Sequence, residues 1–398
     1  MKSLQLKQDL YYIGSLDKDL RVFDIIMETE YGTSYNSYLL KTSEGIVLFE
    51  TVKEKYFDDY IDSINEIASV DQVKYVVVNH TEPDHSGSIS KLLALNSNIE
   101  VISSAVASRY LSEIINGPFN SRIVKDNDEL SFGNYTLKFI SVPCLHWPDT
   151  MYTYIKENNV LVTCDSFGAH YASDEILLSK VNDITGYHNA FNYYTTMIMG
   201  PFKPFILTGL KKIEGLTIDL IACGHGPVID CNINETIQAY KDFATPTTLS
   251  EKSVVIPYVS CYGYTETMAN IIKDTLISRG ISCECYDLTY VDNASVIAKA
   301  KMADGIMYGS PTLLNDALPP IYNVMNAILQ PYDGAKVVSA FGSYGWSGEA
   351  VGNMLVRLKQ QRMKVADDGL KICFKPSEAN IEQIKMYATN FADVLLNK

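Results

Sequence analysis

From Ser253 onward one pattern repeats: a short apolar run, often closed by a loop rich in glycine and hydroxyl groups, then a helical stretch. The runs at Ser253 to Val259, Ser282 to Tyr286, Gly305 to Tyr308 and Lys336 to Phe341 have the length and composition of buried strands. Buried strands separated by helices are best satisfied as a parallel sheet covered on both sides, so the pattern selects an α/β, doubly wound arrangement. In such sheets a ligand binds beyond the carboxyl ends of the strands, where these loops fall.

Three of the loops have complementary chemistry. Ser260-Cys-Tyr262-Gly263-Tyr264-Thr265 leads into a helix expected near Glu266, where amide N–H groups and hydroxyls could cradle a phosphate at a helix N-terminus. It lacks the Gly-Lys of a nucleoside triphosphate loop, which suits a flavin mononucleotide better. The second loop is Gly309-Ser-Pro311-Thr312-Leu313-Leu-Asn315, and the third is Phe341-Gly-Ser343-Tyr344-Gly345-Trp346-Ser-Gly348. A flat isoalloxazine needs aromatic faces and backbone donors at its edge, which together these loops offer. The expected FMN cradle is therefore Ser260, Tyr262, Gly263, Tyr264, Thr265, Pro311, Thr312, Leu313, Asn315, Ser343, Tyr344, Gly345, Trp346 and Gly348.

The chain of 398 residues exceeds what one hydrophobic core usually serves. Asn232 to Phe243 reads as an amphipathic helix and Ala244-Thr-Pro-Thr-Thr as a linker, which puts a domain boundary near residue 249, between 1–249 and 250–398. In the first part, Tyr38 to Leu40 and Ile46 to Phe49 read as strands paired around a Ser-Glu-Gly turn. A helix near Phe57 to Ile67 and the strand Val73 to Val78 follow, an α/β layer arrangement.

Just after Val78 comes His80-Thr-Glu82-Pro-Asp84-His85, and His146, Asp165 and His225 each close a later apolar, strand-like run. A lone histidine is more often a hydrogen-bonded core or surface residue; four ligand-type residues in six positions reverse that expectation. Four imidazoles and three carboxylates without a thiolate make a hard, dinuclear metal site. Cys144, Cys164 and Cys223 stand near these ligands, but Cys144 and Cys223 read as small core hydrophobes in strand-like context. None of the eight cysteines forms a C-x-x-C pair, and their spacing is not that of a disulfide framework, which fits a reducing compartment. The formal charge of −14 argues against a nucleic-acid or anionic-membrane surface. With no apolar run long enough to span a bilayer, the chain reads as soluble and cytoplasmic.

These stretches, with Gly32-Thr-Ser-Tyr-Asn-Ser-Tyr-Leu39, His146-Trp-Pro-Asp149, Asp165-Ser-Phe-Gly168 and Gly224-His-Gly226, resemble the flavodiiron proteins, or A-type flavoproteins, across essentially the whole chain. The resemblance implies an N-terminal metallo-β-lactamase-like αββα domain followed by a flavodoxin-like doubly wound sheet. It implies one iron held by His80, Glu82 and His146, another by Asp84, His85 and His225, and Asp165 bridging them. A carboxylate at Glu82, where related hydrolases are expected to present imidazole, hardens the site and favours ferric iron.

The implied activity is reduction of dioxygen to water, of nitric oxide to nitrous oxide, or both, with FMN feeding electrons to the irons. His170 and one of Tyr193 and Tyr194 are candidate proton donors. Asp24 follows Arg21-Val-Phe23 where many relatives carry histidine, and Tyr262 stands where a small hydroxyl residue is usual. The resemblance further implies a head-to-tail homodimer, or a dimer of such dimers, that sets the FMN of one subunit beside the irons of the other. A separate, rubredoxin-like electron donor is expected. The rival readings are an electron-transfer flavoprotein whose metal domain is structural, and a zinc metallohydrolase with a flavodoxin appendage.

Overall fold

The computed structural model describes all residues except 1, 2, 25, 26, 246–250, 331–333, 335 and 398. The chain divides into two compact units, 1–246 and 247–398. The boundary expected near residue 249, with most of the linker, lies outside the described residues.

The first unit stacks two sheets. One runs Leu4–Lys7, Leu10–Tyr12, Tyr38–Thr42, Gly45–Phe49, Val73–Val78, Glu100–Ser103, Asn120–Ile123; the other runs Glu129–Phe132, Tyr135–Ser141, Met151–Ile155, Val160–Cys164, Leu220–Cys223. Strand alternation sets the layers. Leu40, Val47, Phe49 and Val77 point between the sheets and meet Leu137, Phe139, Val160 and Val162, whereas Leu39, Ile46, Leu48, Val76 and Val78 point outward onto the helices Phe57–Asn65 and Ile89–Leu95. Outside the second sheet, Ile140, Tyr152, Leu161 and Ile221 pack against the helices Ile184–Tyr194, Lys203–Ile213 and Ile233–Ala244. The unit is an αββα sandwich. The hairpin expected around Ser-Glu-Gly pairs Tyr38 with Phe49 and Thr42 with Gly45.

The second unit is a parallel sheet in the order Ser282–Asp287, Ser253–Tyr258, Gly305–Gly309, Val337–Tyr344, with Lys364–Val365 and Leu370–Cys373 both pairing with the last of these. This is the flavodoxin-like order. Val254, Ile256 and Met307 face one helical layer and Val255, Ile306 and Tyr308 the other, so both faces are buried. Two local expectations shift. The helix expected near Glu266 begins at Tyr264, and the strand expected to end at Phe341 continues to Tyr344, so Ser343 and Tyr344 lie on the strand rather than in a free loop.

Among the described residues no helix is long and apolar enough to cross a membrane.

Candidate metal centre and ligand cavity

The H-x-E-x-D-H spacing works because the backbone changes state within it. His80 to Glu82 is irregular; Pro83 then opens a single helical turn, Pro83–Ser86, with Glu82 at the N-cap. Proline at the first helical position costs no hydrogen bond and fixes φ for the turn. The turn is held by Ser86 Oγ, which donates to the Thr81 carbonyl at 2.7 Å. The outcome is that His80, Glu82, Asp84 and His85 all reach one pocket.

Two ligand sets meet there. His80 Nε2 lies 3.2 Å from Glu82 Oε2 and 3.3 Å from Asp165 Oδ2, and His146 Nε2 lies 3.1 and 3.3 Å from the same two oxygens. On the other side, His85 Nε2 is 2.9 Å from Asp165 Oδ1, and His225 Nε2 is 3.4 Å from it and 3.1 Å from Asp84 Oδ2. Each oxygen of Asp165 thus serves a different set. A point equidistant from atoms so spaced lies about 2 Å from each, the length of a metal–nitrogen or metal–oxygen bond.

The electrostatics ask for cations. Asp84 Oδ1 is buried without a hydrogen-bond partner, and Asp84 Oδ2 and Asp165 Oδ2 are buried facing only imidazole nitrogens, a costly arrangement unless positive charge completes it. Burial alone would discharge the imidazoles; instead the carboxylates more than offset it and push His146 up to about 9 and His225 up to about 10. His80 rises for the same reason, with Asp149 and Glu82 overcoming burial. Burial also works against ionised Asp165, yet the imidazoles around it hold its carboxyl well below the usual range. In a metal-free pocket protons balance these carboxylates; metal ions would take their place. The residues present fit a pair of hard metal ions.

Outer partners aim the rings. His80 Nδ1 donates to Asp149 Oδ2 at 3.2 Å, and His225 Nδ1 donates to the Ser34 carbonyl at 2.6 Å, so each Nε2 turns inward. His225 comes close enough only because glycine flanks it. A Cβ on Gly224 would lie 2.8 Å from His85 Cε1 and 3.0 Å from the Cys164 carbonyl carbon, and Gly226 turns at φ +77°.

The remaining expected residues separate. Tyr194 is buried, its ring 4.8 Å from that of His170 and 5.9 Å from that of His225, while Tyr193 is 40% exposed. Neighbours on a helix point about 100° apart, so only one of the pair can face the pocket. His170 is buried between Phe23 and His225 and bonded through Nδ1 to Thr33 Oγ1 at 2.9 Å; its Nε2 has no partner. Burial first, then the charge of His225, lowers its affinity for a proton. Asp24 sits at φ +47° and reaches Glu82; burial, then that carboxylate, raises its carboxyl to about 6. His188 is exposed on the helix Ile184–Tyr194.

Two readings of local context are corrected. His146 does not directly follow a strand: Tyr135–Ser141 ends five residues earlier, and a loop carries His146 back. Cys144 belongs to that loop at φ +68°, half-buried, and not to a strand; Cys223 is in a strand and buried. Asp149 was visible in sequence only as part of His146-Trp-Pro-Asp, and nothing local marked Thr33 as a neighbour of two histidines.

In the second unit, the loops surround a cavity of about 610 Å³ lined by Cys261, Tyr262, Tyr264, Pro311, Thr312, Leu313, Leu314, Asn315, Ser343, Tyr344, Gly345, Trp346, Ser347 and Phe374. Ser260, Gly263, Thr265 and Gly348, expected in the cradle, do not line that cavity but stand next in sequence or in contact with residues that do. Thr265 is buried with its hydroxyl 2.8 Å from Ser343 Oγ, Ser260 Oγ accepts from the Glu266 N–H, and Gly263 and Gly348 occupy the N-caps of the following helices with positive φ. Phe374 escaped sequence reading. It arrives through the parallel pairing of Tyr344 with Cys373, and its ring packs on Gly345, where a Cβ would lie 2.7 Å away. An apolar, aromatic-walled cavity with a helix N-terminus at one end fits a flavin mononucleotide.

Comparison with known proteins agrees with both halves. A family model described as ODP family beta lactamase matches residues 33–226, and one for flavodoxin matches 256–386. The flavo-diiron protein FprA2 of Clostridium acetobutylicum is 37% identical over 98% of this chain and 99% of its own length. The type A flavoprotein fprA of Rhodobacter capsulatus is 33% identical over 98% and 91%. Among solved structures, the rubredoxin oxygen:oxidoreductase of Desulfovibrio gigas superimposes with a TM-score of 0.69 at 25% identity, covering 100% of this chain and 99% of that one. The flavodiiron protein of Giardia intestinalis gives 0.68 at 26% identity, covering 100% and 97%.

Proposed function

The chain belongs to the flavodiiron, or A-type flavoprotein, family, and on that premise we propose that it reduces dioxygen to water, nitric oxide to nitrous oxide, or both. It is an oxidoreductase whose cofactors are FMN and a pair of irons. The observation that carries the proposal is the two-sided use of Asp165, one oxygen in each ligand set. His80, Glu82 and His146 would hold one iron, Asp84, His85 and His225 the other, with Asp165 between. When bound, the irons supply Lewis acidity and electrons at the substrate, and FMN supplies an electron pair. Four electrons take dioxygen to two waters; two take a pair of nitric oxides to nitrous oxide and water.

The chain's own residues shape that chemistry. Phe23, His170 and Tyr194 wall one side of the pocket with rings and exclude water there. The low proton affinity of His170 keeps its ring uncharged beside His225. Asp24 holds a proton against Glu82 up to about pH 6, the protonated group that reaches a carboxylate of the ligand sets. In the second unit the FMN would lie among Tyr262, Tyr264, Thr312, Asn315, Tyr344 and Trp346.

We assign the protein to the cytoplasm, with a rubredoxin-like electron donor and a head-to-tail homodimer, or a dimer of such dimers, bringing FMN to the partner subunit's irons. The relative from Desulfovibrio gigas, which its name couples to rubredoxin and oxygen, supports such a donor. The test is anaerobic reduction of the iron- and FMN-loaded protein followed by rapid mixing with either gas. Reoxidation by one gas far faster than in an iron-free, FMN-loaded control supports the proposal. Equal rates in the two preparations would return the chain to the electron-transfer reading.

A further inference from the structure

The residues lining the 610 Å³ cavity carry no formal charge, so the field inside it is set by whatever stands just behind the walls. Behind the third loop is a second depression, of about 450 Å³, whose lining includes Ser347, Gly348, Glu349, Asp368 and Lys371. Lys371 Nζ lies 5.6 Å from the centroid of the Tyr344 ring, and Tyr344 is itself a wall of the uncharged cavity. The register of the sheet fixes this placement: Lys371 pairs with Gly342, and Cys373 with Tyr344, on the parallel strands Leu370–Cys373 and Val337–Tyr344. Gly348 leaves room for it. A Cβ there would stand 3.0 Å from Tyr344 Cγ and 3.2 Å from Lys371 Cδ. Among the described residues no carboxylate lies within ion-pair distance of Lys371, whose charge is therefore free to act on the ring it covers.

We propose that Lys371, acting through the Tyr344 ring, sets the reduction potential of the flavin in this cavity by favouring the electron-rich reduced ring over the oxidised one. This rests on the reading that FMN occupies the cavity. Lys371 is a positioning and tuning residue and does not touch the reacting atoms. A cation separated from the flavin by one aromatic ring lies within about a Debye length, 8 Å at physiological salt, and the walls between carry no charge to cancel it. Glu349 and Asp368, in the same depression, act in the opposite sense. Removing the cation leaves those two carboxylates uncompensated beside the flavin, so the sign of the effect is fixed: potential falls without Lys371 and rises without Asp368.

The experiment uses the full-length, FMN-loaded protein and titrates the flavin couple spectroscopically against reference dyes at low and high salt. K371M keeps the aliphatic stem and removes the charge; K371R keeps the charge; D368N removes an opposing one. The expected result for K371M is a three- to tenfold loss in affinity for reduced relative to oxidised flavin, a potential lower by about 15–30 mV for a two-electron couple. K371R should restore most of it, D368N should shift the potential upward, and all shifts should shrink at high salt. Unchanged potentials in both K371M and D368N, or K371R behaving as K371M, would overturn the proposal. A wild-type protein that takes up no FMN would instead fail the reading on which it rests, and the proposal with it.

Discussion

Asp149 supports His80 from behind: its Oδ2 accepts from the imidazole Nδ1 at 3.2 Å and from the Thr81 N–H and hydroxyl at 2.8 Å each. Three donors converge on one buried oxygen, so the carboxylate cannot swing away and the Nε2 lone pair of His80 is fixed toward Glu82 and Asp165. An amide at this position could not accept as strongly and would leave the ring free to turn. D149N is expected to weaken iron retention in the half of the site held by His80, Glu82 and His146 by about ten- to a hundredfold. Chelator competition followed by iron analysis reads this directly, and retention equal to wild type would show that His80 needs no outer partner.

Gly224 is the point where the ends of the strands Val160–Cys164 and Leu220–Cys223 meet His85 of the helical turn Pro83–Ser86. Its missing side chain lets Cys164 and His85 approach, and Cys164 meets it with backbone atoms that cannot rotate away. G224A should therefore cost about 1–3 kcal/mol of stability in the metal-free protein. It should also displace His85 from Asp165, so that the half of the site held by Asp84, His85 and His225 loses metal first. Thermal unfolding with and without iron measures both effects; an unchanged midpoint would mean that the backbone yields more easily than close packing predicts.

The candidate ligand set could be read in the sequence because each member stands beside an apolar run that cannot itself hold a charge. Loops after strands are where a rigid support meets solvent, and histidines there had few other uses. The same logic located Ser260 to Thr265 and Ser343 to Gly348. What escaped depends on long-range geometry. Tyr193 and Tyr194 are equivalent until the phase of their helix is known; Phe374 reaches the cavity of the second unit, and Lys371 the far side of its Tyr344 wall, only through a parallel pairing some thirty residues from their partners. Asp149 lies three residues after the candidate ligand His146, a spacing that could have marked it as an outer partner.

Asp24 makes the stability of the metal-free protein depend on pH in a defined direction. Burial and then the nearby Glu82 carboxylate raise its carboxyl from 3.8 to about 6, so the folded protein keeps this proton where the unfolded chain has released it. Below about pH 4 both states are protonated and the group costs nothing. As pH rises from about 4 to about 6 the unfolded state gains from ionising and the folded state does not, so stability falls over that window and stays lower above it. D24N, always neutral, should match wild type near pH 4 and exceed it at pH 7. Urea midpoints across pH 4–7 test this, and parallel curves for the two proteins would rule it out.

The protein has two tryptophans, and the fold puts one in each unit, which separates the two cofactors in a single measurement. Trp147 stands edge-on to His80, with ring centroids 5.1 Å apart, and so reports on metal at that imidazole. Trp346 is 96% exposed and lines the cavity of the second unit, where a bound flavin would cover it. An exposed indole fluoresces until an electron-poor ring stacks on it. FMN addition should quench the Trp346 component most strongly, with a smaller effect on Trp147 where the partner subunit's flavin approaches the irons, and iron should quench the Trp147 component. W346F should abolish the first quench, leave the second, and loosen FMN by roughly two- to tenfold, the range of one aromatic contact of about 0.5–1.5 kcal/mol. FMN affinity unchanged in W346F would place the isoalloxazine away from Trp346 and against Tyr262 or Phe374, the other exposed rings of the cavity.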